Sequence, residues 1–238
     1  TQEAVYAQIF QDLERANTLY DDTKAMIYGD DILFHNDVKK WRKFTNSLHL
    51  RLLLRVSNRA EMNSFTKMAS MISNSEQYPV FENTAESAIL QITGVTPNLS
   101  PWGRAIDFTT FRSISEFFAD NLNALEDPRR ARFMTQAREM DGTTYIGYKG
   151  IPSGFDGNEN QFQYLPSNHN RVLVEAPMIS LILTYAEVEF IKAELAQRGV
   201  IEADAATHYE NGVKAAMEQW EVEMTEGYFE NPAASYDG

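Results

Sequence analysis

The sequence predicts a mainly α fold, built from helical hairpins with long irregular loops. Three observations carry that expectation. Apolar residues return every three or four positions through several stretches; small residues recur through the last two of these, where helices must approach closely; and no run alternates apolar with polar residues for long enough to make a continuous sheet. More than half of the residues are expected to be helical.

The first helix opens the chain, where "TQEAVYAQIFQDLERANTLYDD" sets Tyr6, Ile9, Leu13, Ala16 and Tyr20 on one stripe. The second covers 37–58, "DVKKWRKFTNSLHLRLLLRVSN", with Asn36 or Asp37 as its N-cap. Val38, Trp41, Phe44, Leu48, Leu52 and Val56 form one stripe, and Leu50, Leu53 and Leu54 a second. Two stripes require neighbours on two sides, so this is expected to be the most buried helix, with Trp41 a structural residue. Arg51 and Arg55 follow one face and Arg59 continues it. They are expected to be structural, paired with acids or carbonyls of a neighbouring helix, because an unpaired buried charge is costly. A third helix at 63–73 packs back on the second.

From 74 to about 106 the pattern breaks into turn chemistry around a short strand, "SAILQIT". A helical run follows at 107–125, ending before "EDPRRARF", where Asp127 reads as a cap and Pro128 as a first helical residue. The second irregular region, 141–176, is rich in Gly, Pro, Asn and Asp, yet carries Tyr145, Tyr148, Phe155, Phe162 and Tyr164. A closing hairpin is expected, with 178–198 antiparallel to 204–220. Its small residues are Ala186, Ala193, Ala196 and Gly199 on one helix, and Ala205, Gly212 and Ala216 on the other. Tyr209 between Ala205 and Gly212 gives the small-aromatic-small spacing of tetratricopeptide hairpins, a structural role.

The formal charge is −13, from 21 basic and 34 acidic residues, which speaks against a general nucleic-acid binder because phosphate contacts need a basic face. Without cysteine there is no disulfide, thiolate metal site or cysteine nucleophile. No stretch approaches the roughly 18 consecutive apolar residues of a membrane span. The four histidines, His35, His49, His169 and His208, show no metal-ligand spacing, and no nucleophile elbow, phosphate loop or dinucleotide fingerprint is present. No cofactor or metal is expected. Acidic neighbours such as Asp30 and Asp31, or Glu187 and Glu189, read as solvated surface before they read as a glycosidase pair. "DGNENQ" sets Asp156, Asn158 and Asn160 at alternate positions like a calcium loop, but Gln161 stands where that loop needs glycine, so polar turns are expected instead.

Five blocks then say more than periodicity does. "GDDILFHNDVKKWRKFTNSLHLRLLLRVSN", "DPRRARF", "YIGYKGIPSG", "PMISLILTYAEVEFIKAELAQRG" and "ATHYENGVKAAMEQW", in this order, resemble the SusD/RagB family, with His49 a departure from its pattern. The resemblance implies tetratricopeptide-like hairpins in a surface-exposed outer-membrane lipoprotein. Such proteins bind oligosaccharide or polysaccharide without catalysis and hand it to a SusC-type TonB-dependent transporter. Family members begin with a lipobox cysteine and a further helix pair, and end in a Trp- and Arg-rich block. On that pattern 1–238 is one SusD-like domain, incomplete at both ends, whose contact with the membrane is only through an anchor outside this chain. A helical-repeat scaffold that binds protein and no sugar is the competing reading.

Sugar recognition needs flat apolar surface for pyranose faces beside planar donors and acceptors for hydroxyls. On that chemistry the candidate glycan-binding residues are Trp102 and Arg104 in "SPWGR", and Tyr148, Asn158, Asn160 and Tyr164 in the second irregular region. For Trp102 the alternative is a plug under its own loop; for the tyrosines, anchors of theirs.

Overall fold

The computed structural model describes residues 1–24, 29, 31–109, 113–158 and 161–238. Helix, 3-10 turns included, is the dominant regular element at 46% of the described residues, short of the expected half because the runs expected to be helical over 107–125 and 178–198 are helical only in part. The α-helices in order are α1 (Gln2–Leu19), α2 (Val38–Arg55), α3 (Ser64–Ser73), α4 (Ala105–Thr109), α5 (Glu116–Ala124), α6 (Arg130–Phe133), α7 (Tyr185–Gln197) and α8 (Ala205–Gln219). Strands β1 (Ala88–Ile92) and β2 (Met178–Leu183) pair in a two-stranded sheet. The chain divides into two compact units: Thr1–Leu90 with Leu181–Gln219 and Tyr236–Gly238, and Gln91–Ser180 with Trp220–Ser235.

The first unit is the helical one. Asp37 caps α2 by accepting the Lys40 N–H at 3.1 Å. The turn before it puts His35 and Asn36 in the left-handed region (φ 52° and 64°). Asp31 holds that turn by accepting the N–H groups of Leu33 (2.9 Å), Phe34 (2.7 Å) and Asn36 (2.6 Å). Its fourth donor is the Trp41 indole N–H at 3.1 Å, so Trp41, at the margin of the apolar core, ties the cap to the helix it starts.

α2 packs against α1, α3 and α7, the several-sided cover that its two stripes demanded. Leu50 and Leu53 sit in a core with Phe34, Met68, Met71, Phe81, Val188, Ile191 and Leu195. It is not the most buried helix, however. α2 and α7 each bury six residues, and α7 is the shorter helix. Four of the six in α2 are polar: Thr45, Asn46, Ser47 and His49. That face binds backbone. Asn46 donates to the Pro79 carbonyl and the Asn17 amide oxygen, both at 3.0 Å, the Asn17 amide donates to the Gln77 carbonyl at 2.9 Å, and the Ser47 hydroxyl accepts the Phe81 N–H at 3.1 Å. A hydrophobic stripe cannot pin an irregular segment such as 76–81, because its carbonyls and N–H groups need partners once covered. His49 lies stacked on Phe10, centroids 5.2 Å apart, and burial holds its imidazole down to about 4.

Arg51 forks onto the Glu187 carboxylate of α7 and donates to the Ile182 carbonyl at 2.9 Å, the partner types expected of it, though both charged side chains remain about one-third exposed. Arg55 departs from its expectation. It is exposed in the last turn of the helix and makes no ion pair or hydrogen bond among the described residues.

The closing hairpin forms from α7 and α8, but the expected helix over 178–198 starts later. Met178–Leu183 is β2, and Thr184 then caps α7 by accepting the Glu187 N–H at 3.3 Å. A stretch of large aliphatics, two of them β-branched, beside a pairing partner is better satisfied as strand. Gly212 lets α8 approach closely: a Cβ there would stand 2.8 Å from the Phe190 ring. Tyr209 packs between Phe190 and Tyr236, at centroid distances of 6.0 and 5.7 Å.

In the second unit the expected helix at 107–125 is interrupted. Ser113 and Ser115 form bridges to Asn168 and Ile151, and α5 begins only at Glu116, capped by Ser115. Asp127 is fully buried and accepts from the Arg129 N–H (2.8 Å) and guanidinium, and α6 starts beyond that turn, at Arg130.

Candidate functional site

Every candidate glycan-binding residue among the described residues lies in the second unit. Asn160 lies outside the described residues.

Trp102 sits in the 100–104 turn, where its N–H meets the Ser100 hydroxyl at 3.2 Å and that hydroxyl in turn donates to the Val174 carbonyl at 2.6 Å. Trp102 is 36% exposed and meets Phe108 edge-on, ring centroids 5.0 Å apart and 62° between planes. Phe108 in turn contacts the His169 ring at 5.0 Å. Neither Phe108 nor His169 is among the candidates read from sequence. The indole therefore has a side support and open surface together, the form in which an aromatic platform keeps its orientation without being covered. Arg104 is exposed and forks onto Asp107, through Nε at 3.0 Å and a terminal nitrogen at 2.5 Å. Each group reinforces the other's charge: the Asp107 carboxyl is held below its usual range by Arg104, and the guanidinium is held up by Asp107. The pair offers a planar donor and an acceptor on one exposed turn.

Tyr148 and Tyr164 do not join Trp102. Tyr148 packs on the small core of Ile114, Ala119, Leu122 and Met134, with the Arg130 guanidinium 5.4 Å from its ring centre. Its carbonyl accepts from Asn123 at 2.8 Å, so it anchors its loop to α5. Tyr164 donates through its hydroxyl to the Gly150 carbonyl at 2.7 Å and carries the Lys149 ammonium 4.0 Å over its ring. Burial, with the carboxylates of Glu116 and Asp120, raises its pKa. Asn158 is exposed in the loop beyond, where its carbonyl accepts the Gln161 N–H at 3.1 Å. The sequence could not separate these roles, because an anchoring tyrosine and a stacking tyrosine look alike until the partner of the hydroxyl is known.

The carboxylates weighed as a hydrolytic pair are held by donors. Glu187 is engaged by Arg51, and Glu189, buried in α7, by Lys192 at 2.8 Å and His208 at 2.8 Å. Burial pushes the Glu189 pKa up, yet those partners bring it below its ordinary value. Asp31 is similarly occupied by its turn, and Asp30 lies outside the described residues.

Comparison with solved structures gives the same fold. A SusD homologue from Bacteroides uniformis superposes with a TM-score of 0.80 at 24% identity, covering 98% of this chain and 47% of that one. A SusD homologue from Bacteroides vulgatus gives 0.75 at 29% identity, covering 96% and 46%. A chitin-binding protein gives 0.76 at 22% identity, covering 97% and 52%. The chain thus spans about half the length of these relatives. Comparison with curated protein sequences finds no match. The family model described as starch-binding and associating with the outer membrane, SusD-like, matches residues 1–238 from end to end, and the chain belongs to that family.

Proposed function

We propose that this chain is the glycan-capturing part of an outer-membrane nutrient-binding lipoprotein that passes oligosaccharide, uncleaved, to a SusC-type TonB-dependent transporter. The family's description as starch-binding and the chitin-binding protein among its structural relatives support the ligand class. The single observation that carries the reading in this chain is Trp102, an exposed indole braced edge-on by Phe108, with the Arg104–Asp107 pair on the same turn. Stacking on an indole exchanges hydrated apolar surface on both partners for contact, and the terminal guanidinium N–H groups that point away from Asp107 can donate to hydroxyls.

Screening of the protein on a glycan array identifies the ligand, and titration calorimetry of wild type and Trp102→Ala follows. Trp102→Ala is expected to weaken binding about tenfold, about 1.4 kcal/mol, with an unchanged circular dichroism spectrum. Equal affinities would remove Trp102 from the site. Incubation with the same polysaccharide is expected to release no new reducing ends, and release that survives repurification would overturn the binding-only reading.

A further inference from the structure

We infer that the open groove between the exposed face of α5 and the loop that follows Gly150 is a separate carbohydrate contact, selective for uncharged or amino sugars over uronic acids. The inference rests on the glycan-binding reading and extends it to residues that neither the family description nor the candidate tryptophan involves.

The groove is shallow and open to solvent, has a volume of about 560 Å³ and is lined by Glu116, Phe117, Asp120, Asn121, Pro152 and Ser153. Phe117 is the most exposed large hydrophobic side chain among the described residues, at 74%. One turn on, Asp120 and Asn121 stand on the same exposed face, with Glu116 before them, while Ala119 and Leu122 bury the opposite face of the helix. An apolar ring beside two carboxylates and an amide is the pairing that a pyranose requires: one face of C–H groups, and an edge of hydroxyl donors. The Asn121 amide already donates to the Phe117 carbonyl at 2.6 Å, which fixes the side chain and leaves its oxygen as acceptor.

The facing wall is built rigidly. Ile151 bridges to Ser115, with the Glu116 N–H donating to the Ile151 carbonyl at 2.6 Å and the Ile151 N–H to the Ile114 carbonyl at 2.9 Å. This approach needs glycine at 150, since a Cβ there would lie 2.4 to 2.5 Å from the Ser115 and Glu116 backbone. Tyr164 locks the Gly150 carbonyl from the other direction at 2.7 Å, with Lys149 over its ring. Tyr164 is therefore a positioning residue, which holds Pro152 and Ser153 opposite α5. A cleft fixed before the ligand arrives avoids the ordering cost that a loose loop would impose.

Charge sets the selectivity. Glu116 and Asp120 both line the groove, so a ligand must enter beside both, and the chain carries a formal charge of −13. A carboxylated sugar would be repelled, and an ammonium at C2 attracted.

Titration calorimetry at low salt compares wild type, Phe117→Ala, Asp120→Asn and Trp102→Ala against maltohexaose, a glucosamine hexamer and an oligogalacturonate hexamer. Wild type is expected to bind the glucosamine oligomer most tightly and oligogalacturonate least. Phe117→Ala is expected to lose about tenfold for the uncharged and amino oligomers, and Asp120→Asn to narrow the difference between amino and acidic ones. Phe117 is exposed and Asp120 is a surface acid, so both variants should fold, which thermal melts verify. If wild type binds an oligosaccharide that Trp102→Ala weakens while Phe117→Ala and Asp120→Asn leave all three titrations unchanged, the groove assignment falls and the Trp102 reading stands. If wild type binds none of the three and no glycan on the array, both fall together.

Discussion

The two units are stabilised by different means. The first surrounds α2 with helices and buries a continuous core that runs from Phe34 and Leu50 to Val188 and Leu195. Among the described residues the second has a smaller core cluster, Ile114, Ala119, Leu122 and Met134 with two partly buried aromatics, and is further joined by single bridges such as Ser113 to Asn168, Ser115 to Ile151 and Arg138 to Leu165. Helices satisfy their backbone locally and leave side chains free to pack, whereas an irregular region must find a partner for each N–H and carbonyl it covers. The unit with the weaker core also carries two exposed aromatics, Trp102 on a turn and Phe117 at the start of α5.

The largest expected effect tests the first half of that contrast. Leu50 is fully buried within the core, and Leu50→Ala deletes packing that the surrounding helices cannot refill, at a cost of about 4 kcal/mol. Hydrogen exchange followed by mass spectrometry should show amides of α2, α3 and α7 losing protection. A loss below about 1 kcal/mol in chemical denaturation would mean that the core is not what stabilises this unit.

Gly150→Ala tests the second half. Here the cost arises from backbone, because the new Cβ would collide with Ser115 and Glu116 and the bridge to Ile151 would have to open. About 3 kcal/mol is expected, a large effect for one methyl group. Protection should be lost first at 114–119 and 148–153. An unchanged exchange pattern there would show that the bridge does not hold the loop.

How much was legible from sequence follows the same division. Leu50 and Leu53 declare themselves by period, and β1 matched its short strand. The polar face of α2 did not. Asn46, Ser47 and Thr45 lie among leucines in a helix, and nothing local reveals that the Pro79 carbonyl and Phe81 N–H await them. Trp102 was legible as a loop indole with no amphipathic stripe to claim it. Tyr148 and Tyr164 were found for their type, but their partners, Asn123 and the Gly150 carbonyl, are 25 and 14 residues away in sequence. Phe117 was hidden because it stood inside a run read as one long helix, where an aromatic is assumed to face the core.

Asp31 gives the next effect in size. Burial raises the pKa of its carboxyl, but the N–H groups of Phe34, Asn36, Trp41 and Leu33 bring it down to about 2. A carboxyl whose folded pKa lies below its unfolded value of ~3.9 adds stability above that value, and the contribution is lost as pH falls toward 2. Asp31→Asn should therefore cost about 1 to 2 kcal/mol at neutral pH, with the gap from wild type closing between about pH 4 and pH 2. A gap that stays constant across that window would show that the charge of Asp31 contributes nothing to the turn.

The smallest effects come from the two arginines that share a face of α2. Arg51 holds Glu187 by a fork and the Ile182 carbonyl by a further bond, so it links α2 to β2 and α7. Were the pair fully buried, removing one member would cost ~3 to 5 kcal/mol. With side-chain exposures of 32% and 37%, water screens the attraction and rehydrates the carboxylate left behind, and Arg51→Met is expected to cost about 1 kcal/mol. Raising the salt concentration should shrink that difference. Arg55 lies one turn further along, exposed at the helix end. Its charge there complements the helix dipole, and Arg55→Met is expected to change stability by less than about 0.5 kcal/mol. Parallel denaturation of the two variants at low and high salt separates them. Equal losses would mean that the fork to Glu187 contributes no more than an ordinary surface charge, and a larger loss at Arg55 would require a partner beyond the residues described.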